Sequence, residues 1–175
     1  MKVLVTGGAG FIGSNIVRLL VNEGHAVTVL DNLTSGFRTN LDPFMQVRLL
    51  EGSVCDLAAV EQALEGVEVI FHLAASVGNT RSIQHPVEDT EVNALGTLRI
   101  LETARRVGVR KIVYSSSAGI FGELKTLPIC EDHPIDPGSP YGASKLAGEK
   151  LCLVYSKLYD IEAVCLRYFN VYGVN

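Results

Sequence analysis

Short runs of β-branched and aliphatic residues alternate along this chain with longer stretches whose apolar positions recur every three or four residues. That alternation is the pattern of parallel strands joined by crossover helices. Strands are expected at Lys2–Thr6, Ala26–Leu30, Val47–Glu51, Val69–Leu73, Lys111–Ser115 and Ala163–Arg167. The first helix, Phe11–Glu23, ends at Gly24. The second, Leu57–Glu65, has Asp56 at its N-cap, Leu57, Val60 and Leu64 on one face, and Gly66 beyond its end. Val87–Val107 sets Val92, Leu95, Leu98, Leu101 and Ala104 on one stripe before Gly108. Tyr141–Tyr159 begins just after Pro140, which suits a helix entry. Gly122–Ser139 is rich in Pro, Asp and Gly and reads as a loop of about 18 residues, a length that usually carries function. No internal repeat interrupts the alternation. Six strands separated by helices predict a doubly wound parallel α/β sheet in three layers.

Composition narrows the class without changing that picture. A length of 175 residues fits one domain with a substantial core, and 47% hydrophobic against 19% charged residues describes a folded chain. A net charge of −4 gives no electrostatic reason to expect nucleic acid or an anionic membrane as partner. Cys55, Cys130, Cys152 and Cys165 are far apart without metal-ligand spacing and are expected as reduced core thiols. The apolar start is too short for a signal peptide and no stretch is long enough to span a membrane. A soluble, intracellular protein is expected.

The first chemical signal is Thr6-Gly7-Gly8-Ala9-Gly10-Phe11-Ile12-Gly13, between the first strand and the first helix. It reads either as GxGxxG through Gly8, Gly10 and Gly13 or as GxxGxxG through Gly7, Gly10 and Gly13. In both readings glycines permit the tight turn and bring backbone N–H groups, with those of Phe11 and Ile12, to a pyrophosphate at a helix N-terminus. The context, strand before and helix after, is the one such a turn requires. Asp31 follows Gly13 by 18 residues at the end of the second strand, with Asn32 beside it. A carboxylate there accepts from the ribose hydroxyls and repels a 2′-phosphate, which favours NAD over NADP.

Tyr141-Gly142-Ala143-Ser144-Lys145 is the second signal. Tyr and Lys four apart at a helix start share a face. An ammonium beside the phenol, together with an oxidised nicotinamide, would lower the tyrosine pKa from about 10 and make it a usable base. Ser115-Ser116-Ser117 closes the fifth strand, at the sheet end where such folds bind ligands, and one of the three is expected to hold the reacting oxygen.

Gly7-Gly8-x-Gly10-x-x-Gly13, Asp31, Asp56, His72-Leu73-Ala74-Ala75, Ser115–Ser117, Tyr141-x-x-x-Lys145 and Arg167-Tyr168-Phe169-Asn170-Val171-Tyr172-Gly173 follow one another in an order that resembles the extended short-chain dehydrogenase/reductase family. The resemblance is nearest to its NAD-dependent nucleotide-sugar 4-epimerases of the UDP-glucose/UDP-galactose type. It implies a Rossmann-like domain holding NAD, with Asp56 and Leu57 at the adenine, Leu73, Ala74 and Ala75 along the cofactor, and Phe169 near the nicotinamide. It further implies Ser117 as the catalytic hydroxyl, Tyr141 as the base, Lys145 as the residue that holds the nicotinamide ribose, and Asn170 against the nucleotide-sugar. Tyr141 would take the proton of the sugar C4 hydroxyl while hydride passes to NAD and back to the other face. Ser115 joins Tyr141 and Lys145 on the cofactor side, and Ser117 joins Tyr141 and Asn170 on the substrate side.

Three features of the sequence bear on that resemblance. Ala118, Gly119 and Ile120 stand where related dehydratases and decarboxylases carry acids, which favours epimerisation; a dehydratase, a decarboxylase or a non-catalytic NAD-binding module are the alternatives. Relatives of the family continue past Arg-Tyr-Phe-Asn into a smaller domain that grips the nucleotide-sugar. Residues 1–175 are therefore expected as the Rossmann domain, with that second domain missing and turnover by this chain alone doubtful. The family also implies a homodimer through helices 87–107 and 141–159, in the cytoplasm. His72 and Asn93 are expected to be structural, Glu149 and Lys150 to lie on an exposed helix face, Arg81 and Ser82 in a loop or near the sugar-nucleotide, and no metal site is expected.

Overall fold

The structure, a computed structural model, describes residues 1–174. Six parallel strands form one sheet: β1 (Lys2–Thr6), β2 (Ala26–Asp31), β3 (Arg48–Glu51), β4 (Val69–His72), β5 (Lys111–Ser117) and β6 (Glu162–Tyr168). Their order is β3-β2-β1-β4-β5-β6, so the winding reverses between β1 and β4. Side chains alternate across the sheet. Val3 and Val5 of β1 join Val27 and Val29 in one core, whereas Leu4 joins Leu30, Ile70 and Ile112 in the other. The helices are α1 (Phe11–Asn22), α2 (Leu57–Ala63), α3 (Asn79–Gln84), α4 (Pro86–Thr90), α5 (Thr97–Val107) and α6 (Pro140–Leu158). Val17 and Leu20 of α1 close one core; Val60, Leu101 and Cys152 of α2, α5 and α6 close the other. The result is the expected Rossmann-like three-layer sandwich, with its ligand crevice predicted at the carboxyl ends beside the β1/β4 reversal.

Local chemistry sets the helix ends. Asp56 Oδ1 accepts from Ala58 N at 2.9 Å and caps α2. Ser139 Oγ accepts from Gly142 N at 3.1 Å and caps α6, with Pro140 in its first turn. Gly108 closes α5 at φ 78°.

Several expectations are corrected. β5 runs on to Ser117 because its pairing with β6 continues through Ser117 opposite Tyr168. Between α4 and α5 the chain winds as a π-helix over Glu91–Gly96, so the single stripe expected along 87–107 breaks phase. Ile100, Leu101 and Ala104 are buried, whereas Val87 and Leu95 face solvent. α3 was not foreseen; it carries Arg81 at its surface and buries Ser82. Cys130 is exposed rather than in the core, and all four cysteines are free thiols. Among the described residues no helix is long and apolar enough to cross a membrane, and no cluster of metal-ligating side chains occurs.

Candidate active site

A cavity of about 610 Å³ opens at the carboxyl ends of β1, β2, β4 and β5. Its floor is the turn after β1. Gly7 has φ 70°, and a Cβ there would lie 2.8 Å from Ala74 N. A Cβ on Gly13 would lie 2.1 Å from Gly7 O. Both distances are impossible for real side chains, so glycine is the only residue that lets the turn close against β4 and start α1 at Gly10. No side chain caps α1 and no acid sits in its first turn, which leaves the positive end of this 12-residue helix to the cavity. Phe11 and Ile12 line it from the same turn.

At one end Asp31, 7% exposed, accepts from Ala9 N at 2.9 Å and from Leu33 N at 2.8 Å, one bond on each oxygen. A carboxylate has about four acceptor sites, so lone pairs remain for a vicinal diol. Asn32, Ser35 and Gly36 continue this wall. The glycine cradle, the uncapped helix and the fixed carboxylate together fit the pyrophosphate and ribose of a dinucleotide. Leu73, Ala74 and Ala75 form the middle of the cavity, and Ser115, Ser117, Tyr141, Lys145, Phe169 and Asn170 the far end. Asp56 and Leu57 are not among the residues that line the cavity: one Asp56 oxygen caps α2, the other is left for a further partner, and Leu57 is half exposed. Ser53, Val54 and Val77 line it without having been singled out, and so do Val92, expected only on a helix stripe, and Tyr168, expected only as part of a motif. Val92 is carried in by the π-helical stretch, which the 3.6-residue period cannot reveal.

Ser117 and Tyr141 face one another across Gly119. An added Cβ on Gly119 would touch Ser117 Oγ and the Tyr141 ring at 3.4 Å, and Ser117 Oγ accepts from Gly119 N at 3.1 Å. Burial holds the Tyr141 phenol above its ordinary pKa; the Ser117 hydroxyl pulls it back, and the Asp89 carboxylate adds to the rise. The expected lowering by Lys145 is not found. Lys145, 2% exposed, has its Nζ 4.4 Å above the Tyr114 ring.

Burial pulls the Lys145 pKa from 10.5 to about 8, against Cys152, Asp89 and Cys165, which raise it. The folded value lies below the unfolded one, so the unfolded chain binds more protons between about 8 and 10.5. Stability through this group therefore rises with pH across that window, and its cost is full below it, on the order of 3 kcal/mol. Lys145→Met removes the buried charge along with its contact on Tyr114. Urea unfolding of the ligand-free protein at pH 7 is expected to show a gain of about 1–2 kcal/mol, fading above pH 10. Unchanged or lower stability at pH 7 would show that the ammonium carries no burial cost.

A second group corrects the sequence reading. Glu149 is 2% exposed, not on a solvated face. It accepts from Ser116 Oγ at 2.6 Å and from Arg167 Nη2 and Nε at 2.8 and 3.2 Å, and Arg167 Nη1 donates to Glu131 O at 2.8 Å. Burial alone would raise its carboxyl; the hydrogen bonds of Arg167 and Ser116 hold it below the ordinary range. The pair ties the ends of β5 and β6 to α6, fixing the strand ends that carry Ser117 and Phe169.

His72 is structural, as expected. Thr97 Oγ1 spends its proton on Asn93 O at 2.6 Å, so His72 Nε2 donates to Thr97 and Nδ1 accepts from Thr6 Oγ1. Burial, with the Lys145 charge, lowers its pKa to about 3, and the ring stays neutral.

Residues 3–175 match the family model described as the NAD dependent epimerase/dehydratase family. The chain is 43% identical over 180 aligned residues to a UDP-glucose 4-epimerase of Mycolicibacterium smegmatis, covering 99% of this chain and 57% of the relative. Among solved structures it is similar to the UDP-glucose 4-epimerase of Thermotoga maritima with UDP-glucose, at 38% identity and TM-score 0.94 over 99% of this chain and 57% of that one. It is also similar to the Thermus thermophilus UDP-glucose 4-epimerase in complex with NAD, at 44% identity and TM-score 0.92, covering 99% and 56%. The chain thus spans little more than half the length of these relatives.

Proposed function

We propose, for a chain that belongs to the NAD dependent epimerase/dehydratase family, the role of cofactor-holding and proton-transferring domain of an NAD-dependent nucleotide-sugar 4-epimerase of the UDP-glucose/UDP-galactose type. The observation that carries this reading is the convergence of Ser117, Tyr141 and Lys145 on the same cavity as the glycine cradle and Asp31. Gly7, Gly10, Gly13 and the first turn of α1 would hold the pyrophosphate, Asp31 the adenosine ribose, and Lys145 the nicotinamide ribose. NAD, when bound, supplies a reversible hydride acceptor for the sugar C4. Tyr141, once ionised, takes the proton of the C4 hydroxyl and returns it, and Ser117 holds that oxygen by a hydrogen bond. Phe169 and Asn170, following β6, stand where they would border the nicotinamide and the sugar-nucleotide. Ala118–Ile120 places no acid next to Ser117, which supports epimerisation over elimination or decarboxylation.

The reading extends to assembly. Exposed Val87 and Leu95 along the 86–107 helical run, and Val154 and Leu158 on α6, give both helices an apolar outer face suited to a homodimer. Four free thiols suit the reducing cytoplasm. The sugar would be gripped by a separate C-terminal domain.

Incubating the full-length protein with UDP-galactose and identifying the product tests the activity; UDP-glucose is expected. A 4-keto-6-deoxy sugar or released carbon dioxide would replace this reading. NAD at a hundred times its Kd is expected to stabilise the protein by about 2.7 kcal/mol, and no rise in Tm would remove the cofactor assignment.

A further inference from the structure

We infer that Asp89 is a positioning residue for the proposed reaction: through Ser144 it anchors the first turn of α6, the turn that carries Tyr141 and Lys145. This rests on the epimerase reading for its kinetic consequence only.

Asp89 is 1% exposed, in α4, and among the described residues it has no cationic hydrogen-bond partner. Its Oδ2 accepts from Ser144 Oγ at 2.5 Å and its Oδ1 from Asn93 Nδ2 at 3.1 Å. Asn93 is in turn clamped to Ser76, accepting from its N and donating to its O, both at 2.9 Å. Ser76, Asn93 and Ser144 are all buried. The carboxylate is therefore held rigidly between the π-helical stretch and α6. For packing alone an amide of the same shape would serve, without the cost of a buried charge. Ser144 lies between Tyr141 and Lys145 in the turn that aims both at the cavity. The Asp89 charge acts on each of them, favouring the ammonium of Lys145 and disfavouring the phenolate of Tyr141. Of the other titratable groups, Cys152, Cys165 and His72 also act with Lys145, whereas Arg81 of α3 pairs with Glu88 of α4 at the surface and Glu91 and His85 are exposed.

Removing the charge should thus move both titrations the same way, to lower pH. In the full-length protein, Asp89→Asn keeps an acceptor for Ser144 and removes the charge, so kcat at pH 8 is expected to stay within about tenfold of the parent with KM within about threefold. Both limbs of the pH profile of kcat are expected to shift down by about one unit. Lys145 is followed separately by NMR in ¹³C-lysine-labelled protein, its signal identified by loss in Lys145→Met. Its midpoint near 8 should fall by about one unit in Asp89→Asn. This readout needs neither NAD nor turnover, so failure of the epimerase reading leaves it standing. Ser144→Ala keeps the carboxylate and removes the anchor; it should lower kcat at least tenfold while the Lys145 midpoint moves by less than half as much. An unmoved Lys145 midpoint in Asp89→Asn overturns the inference, even with a lower Tm. If that variant does not fold, kcat of Ser144→Ala within threefold of the parent overturns it instead.

Discussion

Tyr141→Phe in the full-length protein is expected to reduce kcat for UDP-galactose epimerisation by about 10³–10⁴-fold, the upper range of what a general base contributes. The ring stays, so the shape of the cavity persists. Only the group able to take a proton is lost. The phenol lies above its ordinary pKa when the cavity holds no ligand, because burial outweighs the Ser117 hydrogen bond and Lys145 points its ammonium at Tyr114 instead. Activation must therefore come with loading of the site. Positive charge entering beside the phenol lowers its pKa and recruits the base only when there is a substrate oxygen to serve. The expected signature is a large loss in kcat with NAD affinity within about threefold of the parent. Calorimetric titration of NAD separates the two, and a kcat within tenfold of the parent would assign the proton to another group.

Gly13→Ala is expected to be nearly as severe by a different route. The new methyl would meet Gly7 O at 2.1 Å and Gly8 Cα at 2.7 Å, all backbone, so no side chain can swing aside. The turn must open, and with it the start of α1 and the contact of Gly7 on Ala74. A cost above about 4 kcal/mol is expected, among the largest for a single substitution, together with loss of NAD binding by at least about 10²-fold. Gly24→Ala is the control. Gly24 also has positive φ, 77°, but nothing lies within 4 Å of its Cβ position, so about 1 kcal/mol and unchanged NAD affinity are expected. Urea unfolding and NAD titration on the pair check it; equal costs at the two positions would mean that backbone conformation, not the cradle, explains both.

The parts of the fold written in local order were legible in the sequence. Short β-branched and aliphatic runs placed six strands within a residue or two, and Gly24, Gly66 and Gly108 marked helix ends. The glycine turn, Asp31 and the Tyr141/Lys145 pair were legible because each needs only a fixed spacing on one element. What escaped depends on partners distant along the chain. Glu149 beside Lys150 has the look of a solvated face; its burial comes from Ser116, 33 residues earlier, and Arg167, 18 residues later. Asp89 sits in an acidic, ordinary-looking stretch, and only the approach of α6 makes it a buried charge. α3 is six residues long and mostly exposed, too short for a period to show. The electrostatics of Tyr141 also lay beyond spacing: four residues put Lys145 on the same face, but the Tyr114 ring from β5 captures its ammonium.

The π-helical winding over Glu91–Gly96 gives this segment an unusual tolerance of a change in length. Its turn holds one residue more than an α-turn, so excising a single residue there would relax the backbone to ordinary helix at little local cost. The helices on either side would keep their phase, because the wider turn had already absorbed the extra residue. What would be lost is the outward step that brings Val92 to the cavity wall. A shortening that looks disruptive in an alignment would leave α4, α5 and the sheet in register and change only the lining of the site.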